Sequence, residues 1–230
     1  MKGYILSQQE TLFGHIEPIG FGKSDFNVTE VSRDLANRVV MENHYSKKHD
    51  SIAHNKINLG VNKDGVLKGI LQFGYAMNPA SCASVVSGTG LDEYLELNRM
   101  WLHDDCERNS ESMAISYAIK YIKKKYPKIK WIQSFADERC GKNGIVYQAA
   151  NFGFYGDHVS VFWELDGEFY HNSIMTNAAR TKAVGLQSRM REATKHELRQ
   201  FRYLFFIRHA SKKDCLLEQQ PYPKHYEDEQ

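Results

Sequence analysis

The pair Asp64-Gly65, set between two apolar runs, constrains this chain more than any other feature. Ile57 to Val61 and Val66 to Tyr75 read as strands, and Asn62-Lys63-Asp64-Gly65 between them supplies residues that tolerate the positive φ of a tight hairpin turn. Strands joined this way run antiparallel. The pattern then changes. Tyr94 to Leu102 reads as a third strand, and Ser110 opens a helix whose Ile115, Ala118, Ile119 and Ile122 recur at i, i+3, i+4 and i+7 before Pro127 stops it. Lys130 to Phe135 is a strand of buried type. A second helix runs from about Ile145 to Asn151, and Val159 to Leu165 turns through Asp166-Gly167 into Glu168 to Tyr170. An antiparallel start followed by strand–helix–strand crossovers predicts an α/β fold built on a mixed sheet flanked by helices.

Before the hairpin, Thr29 to Asn43 reads as a helix, with Thr29 or Ser32 as its cap and Val31, Leu35 and Val39 at four-residue spacing. Residues 44 to 56 are polar and aperiodic, a loop or short irregular helix. Late in the chain, 178 to 197 is polar and basic, and Leu204 to Arg208 looks like a last strand. The expected organisation is an N-terminal segment (1–28), a catalytic core (29–175), a basic helical arm with the last strand completing the sheet (176–215), and a flexible tail (216–230).

Twelve Phe, thirteen Tyr and three Trp in 230 residues exclude disorder for most of the chain. No run approaches the roughly 20 apolar residues that span a bilayer, and residues 1–10 lack the apolar stretch of a signal peptide. Cys82, Cys106, Cys140 and Cys215 are far apart with no CxxC, which indicates neither a disulfide framework nor a zinc finger. The histidines His44, His49 and His54 fit no familiar zinc spacing, so no metal site is expected. Together these features predict a soluble, cytoplasmic protein without a membrane partner.

The formal net charge of +2 conceals an asymmetry. Residues 176 to 215 hold ten basic residues, among them Arg180, Lys182, Arg189 and Arg191, against three acidic ones, Glu192, Glu197 and Asp214. That segment is +7, which leaves the rest of the chain at −5. Lys120, Lys123, Lys124, Lys125, Lys128 and Lys130 form a second basic cluster. Such patches suit a polyanion, although a solvated basic helix face gives the same pattern.

Four places can carry chemistry. At Asn109-Ser110-Glu111-Ser112 a strand leads into a helix start, whose free N–H groups suit a phosphate, while a plain helix cap is the commoner origin of such residues. Asp137 follows a buried strand, where α/β proteins place ligand groups, and Arg99 in an apolar strand is either on the solvent face or matched to a carboxylate such as Asp137. Tyr147 precedes the terminal Gly153-Phe154 of its segment, a pattern that resembles acyltransferase segments whose tyrosine protonates a departing thiolate; core packing accounts for it at least as well. His44 and Tyr45 end the first helix.

The element order resembles the GNAT-type acyl-CoA transferase fold, in which a hairpin precedes a central strand and the following helix binds the coenzyme pyrophosphate. The usual glycines of that loop are missing here, and Asp104, Asp105, Glu107 and Glu111 stand around it. A narrower likeness spans about residues 29 to 224. Asn43-His44-Tyr45-Ser46, Glu96-Leu97-Asn98-Arg99-Met100-Trp101, Asn109-Ser110-Glu111-Ser112, Trp131 to Asp137, Gly144 to Phe152 and Pro221-Tyr222-Pro223-Lys224 occur in the order found in Mom-type DNA-modification proteins of phages and prophages, a divergent GNAT branch. This resemblance implies modification of adenine in double-stranded DNA at its exocyclic amine, giving a carbamoylmethyl adduct that protects against restriction enzymes. It implies an active site of His44, Tyr45, Arg99, Ser112, Asp137 and Tyr147. It also implies a donor held by Asn109, Ser110 and Ser112, acetyl-CoA or a related acyl donor, and DNA phosphates gripped by Arg180, Lys182, Arg189 and Arg191. A homodimer is left open. An ordinary GNAT acetyltransferase acting on a protein or small-molecule amine is the alternative, and a non-enzymatic DNA-binding protein on the same scaffold is a third reading.

Overall fold

The computed structural model describes residues 8–10, 16–45, 55–140, 143–176 and 183–223. In chain order the elements are β1 (Gln8–Glu10), β2 (Ile16–Pro18), β3 (Gly20–Gly22), β4 (Phe26–Glu30), α1 (Arg33–Asn43), β5 (Asn55–Lys63), β6 (Val66–Gly74), β7 (Tyr94–Leu102), α2 (Ser110–Lys125), β8 (Trp131–Asp137), α3 (Ile145–Ala149), β9 (Gly153–Leu165), β10 (Glu168–His171), α4 (Asn172–Thr176), α5 (Ala183–Ser188), β11 (Thr194–Phe206) and α6 (His209–Lys213). β1 and β2 form a small ribbon. The other nine strands make one sheet in the order β10-β9-β11-β8-β7-β6-β5-β4-β3.

The expected hairpin is present. Asp64 and Gly65 both have positive φ, 50° and 79°, the left-handed pair whose twist matches that of the flanking strands. Asp166 and Gly167 repeat the device between β9 and β10 with φ of 54° and 76°. α1 is capped by Ser32, whose hydroxyl accepts from the Leu35 N–H at 3.2 Å. It lays Ala36 and Val40 on Ile70 of β6, closing one face of the sheet. α2 covers the other face with Ala114, Ile115, Ala118, Ile119 and Ile122, which pack on Leu59, Phe73, Leu95 and Ile132.

Two expectations about elements are corrected. Thr29 belongs to β4 and pairs with Gly60 and Gly20, so the first helix starts only after Ser32. Among its described residues, the stretch read as a basic helical arm holds the short α5, a 3-10 turn and the five-residue α6; from Thr194 to Phe206 it is extended, and β11 lies inside the sheet between β9 and β8. Its charges follow the two-residue strand period, with Lys195, Glu197 and Arg199 exposed, and the next residue in that phase, Phe201, is buried where the strand enters the core.

One junction positions everything that follows. All neighbouring strands of the large sheet are antiparallel except β7 and β8, which are parallel and pair at only three positions, ending at Glu96↔Gln133. Beyond that rung β7 stays with β6 as far as Gly69↔Leu102, and β8 stays with β11 as far as Asp137↔Gln200. The sheet therefore opens between them. The last contacts across the opening are Gln133 Nε2 donating to Glu96 Oε2 at 2.7 Å and the Ser134 hydroxyl donating to the Leu97 carbonyl at 3.1 Å.

Candidate active site

The gap between β7 and β8 is a cleft of 590 Å³ that passes from one face of the sheet to the other. On the α2 side its wall is Asn109, Glu111 and Ser112 from the start of α2 with Val146 and Tyr147 from α3. On the α1 side it is His44 and Tyr45 from the end of α1 with Phe135 and Asp137 from β8. A splayed parallel pair exposes strand-end groups that a continuous ladder would cover, so reacting groups can approach each other from opposite faces.

Most of the candidate residues converge here: His44, Tyr45, Asn109, Ser112, Asp137 and Tyr147 all line the cleft. Ser110 is buried at the helix start and its N–H donates to the Glu107 carbonyl, so it shapes the turn rather than facing the cleft. Arg99 sits on β7, where its guanidinium donates to the Asn98 carbonyl at 2.6 Å and stands close enough to His44 to disfavour a second positive charge.

The pairing expected for Asp137 is corrected. Arg139, two residues further along, grips its carboxylate: Nε donates to Oδ1 at 3.0 Å and to Oδ2 at 2.9 Å, and the Nη2 donor adds a third contact. The Arg139 N–H also reaches Oδ1 at 3.0 Å. A fork-shaped cation next to a planar carboxylate fixes its orientation as a single distant arginine does not. Arg139 was in plain view beside Asp137, but the oddity of an arginine in an apolar strand drew the reading to Arg99.

His44 is buried, and burial first, then the Arg99 charge, lower its pKa to about 4. It is a neutral imidazole at pH 7, able to accept or relay a proton. Its ring lies 4.3 Å from that of Tyr45, which is 59% exposed. Tyr147 packs its ring against Tyr203 at 5.4 Å and Phe152 at 5.8 Å while remaining on the cleft wall. Phe154 is core, packed on Phe201 and Tyr203. Cys106 also lines the cleft; burial, reinforced by Asp105, raises its pKa and keeps it a thiol. Among the described residues no group of three or more His, Cys, Asp or Glu is placed to hold a metal ion.

The residues at the α2 start do not fit a coenzyme pyrophosphate. Helix N–H groups favour an anion there, but Glu107 and Glu111 line the same mouth with Arg108, and of these carboxylates Glu107 is paired by Lys63 at 3.1 Å while Glu111 stands in the first turn of the helix. No glycine lies between Gly90 and Gly141 to let the backbone close on phosphate oxygens. The buried Asn98 Oδ1, without a hydrogen-bond donor among the described residues, is a further acceptor where an anion needs donors.

The basic patches are partly self-neutralised. Arg189 donates to Asp166 at 2.6 and 3.0 Å and to Glu192 at 2.8 Å, Lys195 pairs with Glu197, and Lys125, Lys128 and Lys130 pair with Glu30, Asp92 and Glu93. Of the four arginines and lysines expected on phosphate, Arg191 is exposed, Arg189 is engaged as above, and Arg180 and Lys182 lie outside the described residues. No helix among the described residues is long and apolar enough to cross a membrane.

A mixed sheet split at one parallel pair, with a carboxylate on one side of the split and a helix start and a tyrosine on the other, is the framework of a group-transfer enzyme. Sequence comparison narrows the class: the Mom protein family matches residues 25–224, and the chain belongs to that family of transferases. It is 46% identical over 211 residues to methylcarbamoylase Mom of Escherichia phage Mu, covering 90% of this chain and 87% of that protein. Among solved structures, ribosomal-protein-S5-alanine acetyltransferase of Vibrio fischeri gives a TM-score of 0.48 at 10% identity over 82% of this chain and 96% of that one. Arabidopsis thaliana NAA60 in complex with acetyl-CoA gives 0.48 at 9% identity over 79% and 99%.

Proposed function

We propose that this protein modifies adenine in double-stranded DNA at the exocyclic amine, giving a carbamoylmethyl derivative that shields the DNA from restriction enzymes. The observation that carries the reading is the through-sheet cleft with Asp137 on one wall and Tyr147 on the other, in a member of the Mom family. The phage Mu relative, named a methylcarbamoylase, supports the chemistry of the transferred group. The protein would act wherever DNA is accessible to it, the host cytoplasm for a phage-encoded enzyme.

The adenine amine is a weak nucleophile, because its lone pair is delocalised into the ring, and in a duplex it is paired and stacked. The base must leave the stack, at a cost of a few kcal/mol. Asp137, fixed by Arg139, accepts a hydrogen bond from the amine and takes its proton as the nitrogen attacks. The adduct is joined through a methylene carbon, so the N–CH2 bond forms as the bond from that carbon to its leaving group breaks. Tyr147, on the opposite wall, is placed to give a proton to the departing group. Neutral His44 accepts a hydrogen bond beside Asp137's side of the cleft. The donor enters from the α2 side, past Asn109 and Ser112. The donor that fits this displacement is a two-carbon unit with its leaving group on the methylene carbon and its amide at the other end, because acetyl-CoA, whose thiolate leaves from the carbonyl carbon, would join the amine through that carbonyl instead.

Asp137→Ala and Tyr147→Phe test the assignment. Both are expected to abolish adduct formation in cells while duplex affinity stays within about threefold of wild type. Full modification by both variants would refute it. Acetyl-CoA turnover on a protein or small-molecule amine, indifferent to DNA, would favour the ordinary acetyltransferase instead.

A further inference from the structure

Arg139 does more than hold Asp137. Its guanidinium carbon lies 4.5 Å from the ring centre of Phe162 on β9, 5.0 Å from that of Phe169 on β10 and 5.7 Å from that of Tyr45 at the end of α1. Three aromatic rings from three separate elements thus surround one planar cation, which adjoins the cleft through Tyr45 and Asp137 on its wall. Phe162 and Phe169 are only half-buried, unlike the phenylalanines of the core.

Phe162 and Phe169 belong to one sheet face, and Tyr45 comes to Arg139 from the end of α1. Cross-strand partners point to the same side, and Phe162 pairs with His171 on β10 and His196 on β11. Asp137 pairs with Gln200, which pairs with His158, so the carboxylate shares that face. Burial lowers the pKa of His158 and His171, which favours their uncharged form. A half-exposed wall of flat rings, with the Asp137 and Glu164 carboxylates beside it, is poorly suited to phosphate and well suited to an aromatic base.

We propose that Phe162, Phe169 and Tyr45, with the Arg139 plane, form the subsite that receives the extruded purine ring and delivers its amine to Asp137. The inference rests on the adenine-modification reading and assigns that reading a binding site. Stacking rewards any planar ring, while Asp137 selects one that carries hydrogen-bond donors. Adenine offers its amine there, whereas a ring edge presenting a carbonyl is rejected. Arg139 is a positioning residue, because it acts through the carboxylate it holds.

The test uses two probes, a fully paired duplex and the same duplex with one adenine opposite an abasic site, with binding of each measured for the full chain. Wild type is expected to prefer the unpaired adenine by tenfold or more, since no pair must be broken. Phe162→Leu and Phe169→Leu, which keep apolar volume but lose the π face, are expected to reduce that preference about tenfold and to lower adduct yield in cells in parallel. Phe162→Trp should recover most of what Phe162→Leu loses, an outcome that a purely structural role does not give. Arg139→Lys keeps the charge without the fork or the plane and should lower adduct yield at least tenfold. Unchanged preference and yield in both Leu variants with unaltered melting temperatures would overturn the inference while leaving the adenine reading intact. Equal binding of both probes by a wild-type protein that still modifies DNA would overturn it too. Absence of adduct from wild type would remove the adenine reading itself and the inference with it.

Discussion

The hydroxyl of Tyr203, buried in β11, donates to the Asn143 carbonyl at the turn from which α3 begins. Gln148 of α3 donates its Nε2 back to the same hydroxyl at 3.0 Å, and the Tyr203 ring lies against Tyr147. A strand late in the chain therefore sets the position of a cleft-lining tyrosine through a turn sixty residues away.

Gly144 in that turn has φ of 81°, and a Cβ there would lie 2.3 Å from the Tyr203 ring. Gly144→Ala is expected to cost about 2–3 kcal/mol, combining backbone strain with the clash. Tyr203→Phe, which leaves the Asn143 carbonyl only the longer 3.3 Å bond from Gln148 Nε2, is expected to cost roughly 1 kcal/mol. Chemical denaturation of both variants checks the order. A fully stable Gly144→Ala would contradict the geometry.

His44 gives a pH signature. Its pKa is lowered to about 4 in the fold by burial and Arg99, against an unfolded value of 6.5. The unfolded chain therefore binds more protons between these limits, so this contribution is complete above pH 6.5 and is lost as pH falls toward 4. The loss at pH 5 is of the order of 1–2 kcal/mol. Melting curves from pH 7 to 5 should fall less steeply for His44→Gln than for wild type; parallel curves would refute the assignment.

The acidic mouth of the α2 side predicts a gain on neutralisation. Glu111 stands in the first turn of α2 and lines the cleft. If its charge opposes polyphosphate there, Glu111→Gln should tighten binding of coenzyme A about threefold at low salt, the scale of one charge at a helix terminus. Weaker binding in the variant would show that the carboxylate helps to hold the coenzyme.

Surface arginines should separate by their pairing. Arg189 is tied to Asp166 and Glu192, whereas Arg191 is exposed. If Arg191 meets a phosphate, Arg191→Ala should reduce the slope of log affinity against log salt by about 0.9, and Arg189→Ala by less. Equal changes would mean that the Arg189 pairs open on DNA.

Much of this was legible in sequence where local signals were strong. Asp64-Gly65 fixed the hairpin, the 3.6-residue stripe fixed α2, and the ordered motifs brought His44, Tyr45, Asp137 and Tyr147 to one cleft. What failed was weighting. The charges of Lys195 and Arg199 suggested a helical arm, although the alternation of charged and less polar residues from Lys195 to Phe201 already carried a strand period. β4 was missed because Phe26–Glu30 is short and runs directly into the helix cap. The Asp137–Arg139 pair and its rings were invisible because Tyr45, Phe162 and Phe169 meet only through tertiary packing, which no spacing in the chain encodes.

The most direct test of the central claim is nucleoside mass spectrometry of plasmid DNA from cells expressing the wild-type chain, with Asp137→Ala as the control. The account predicts a deoxyadenosine species heavier by a carbamoylmethyl group, present with wild type and absent from the control. Unmodified deoxyadenosine from well-expressed, folded wild-type protein would contradict it.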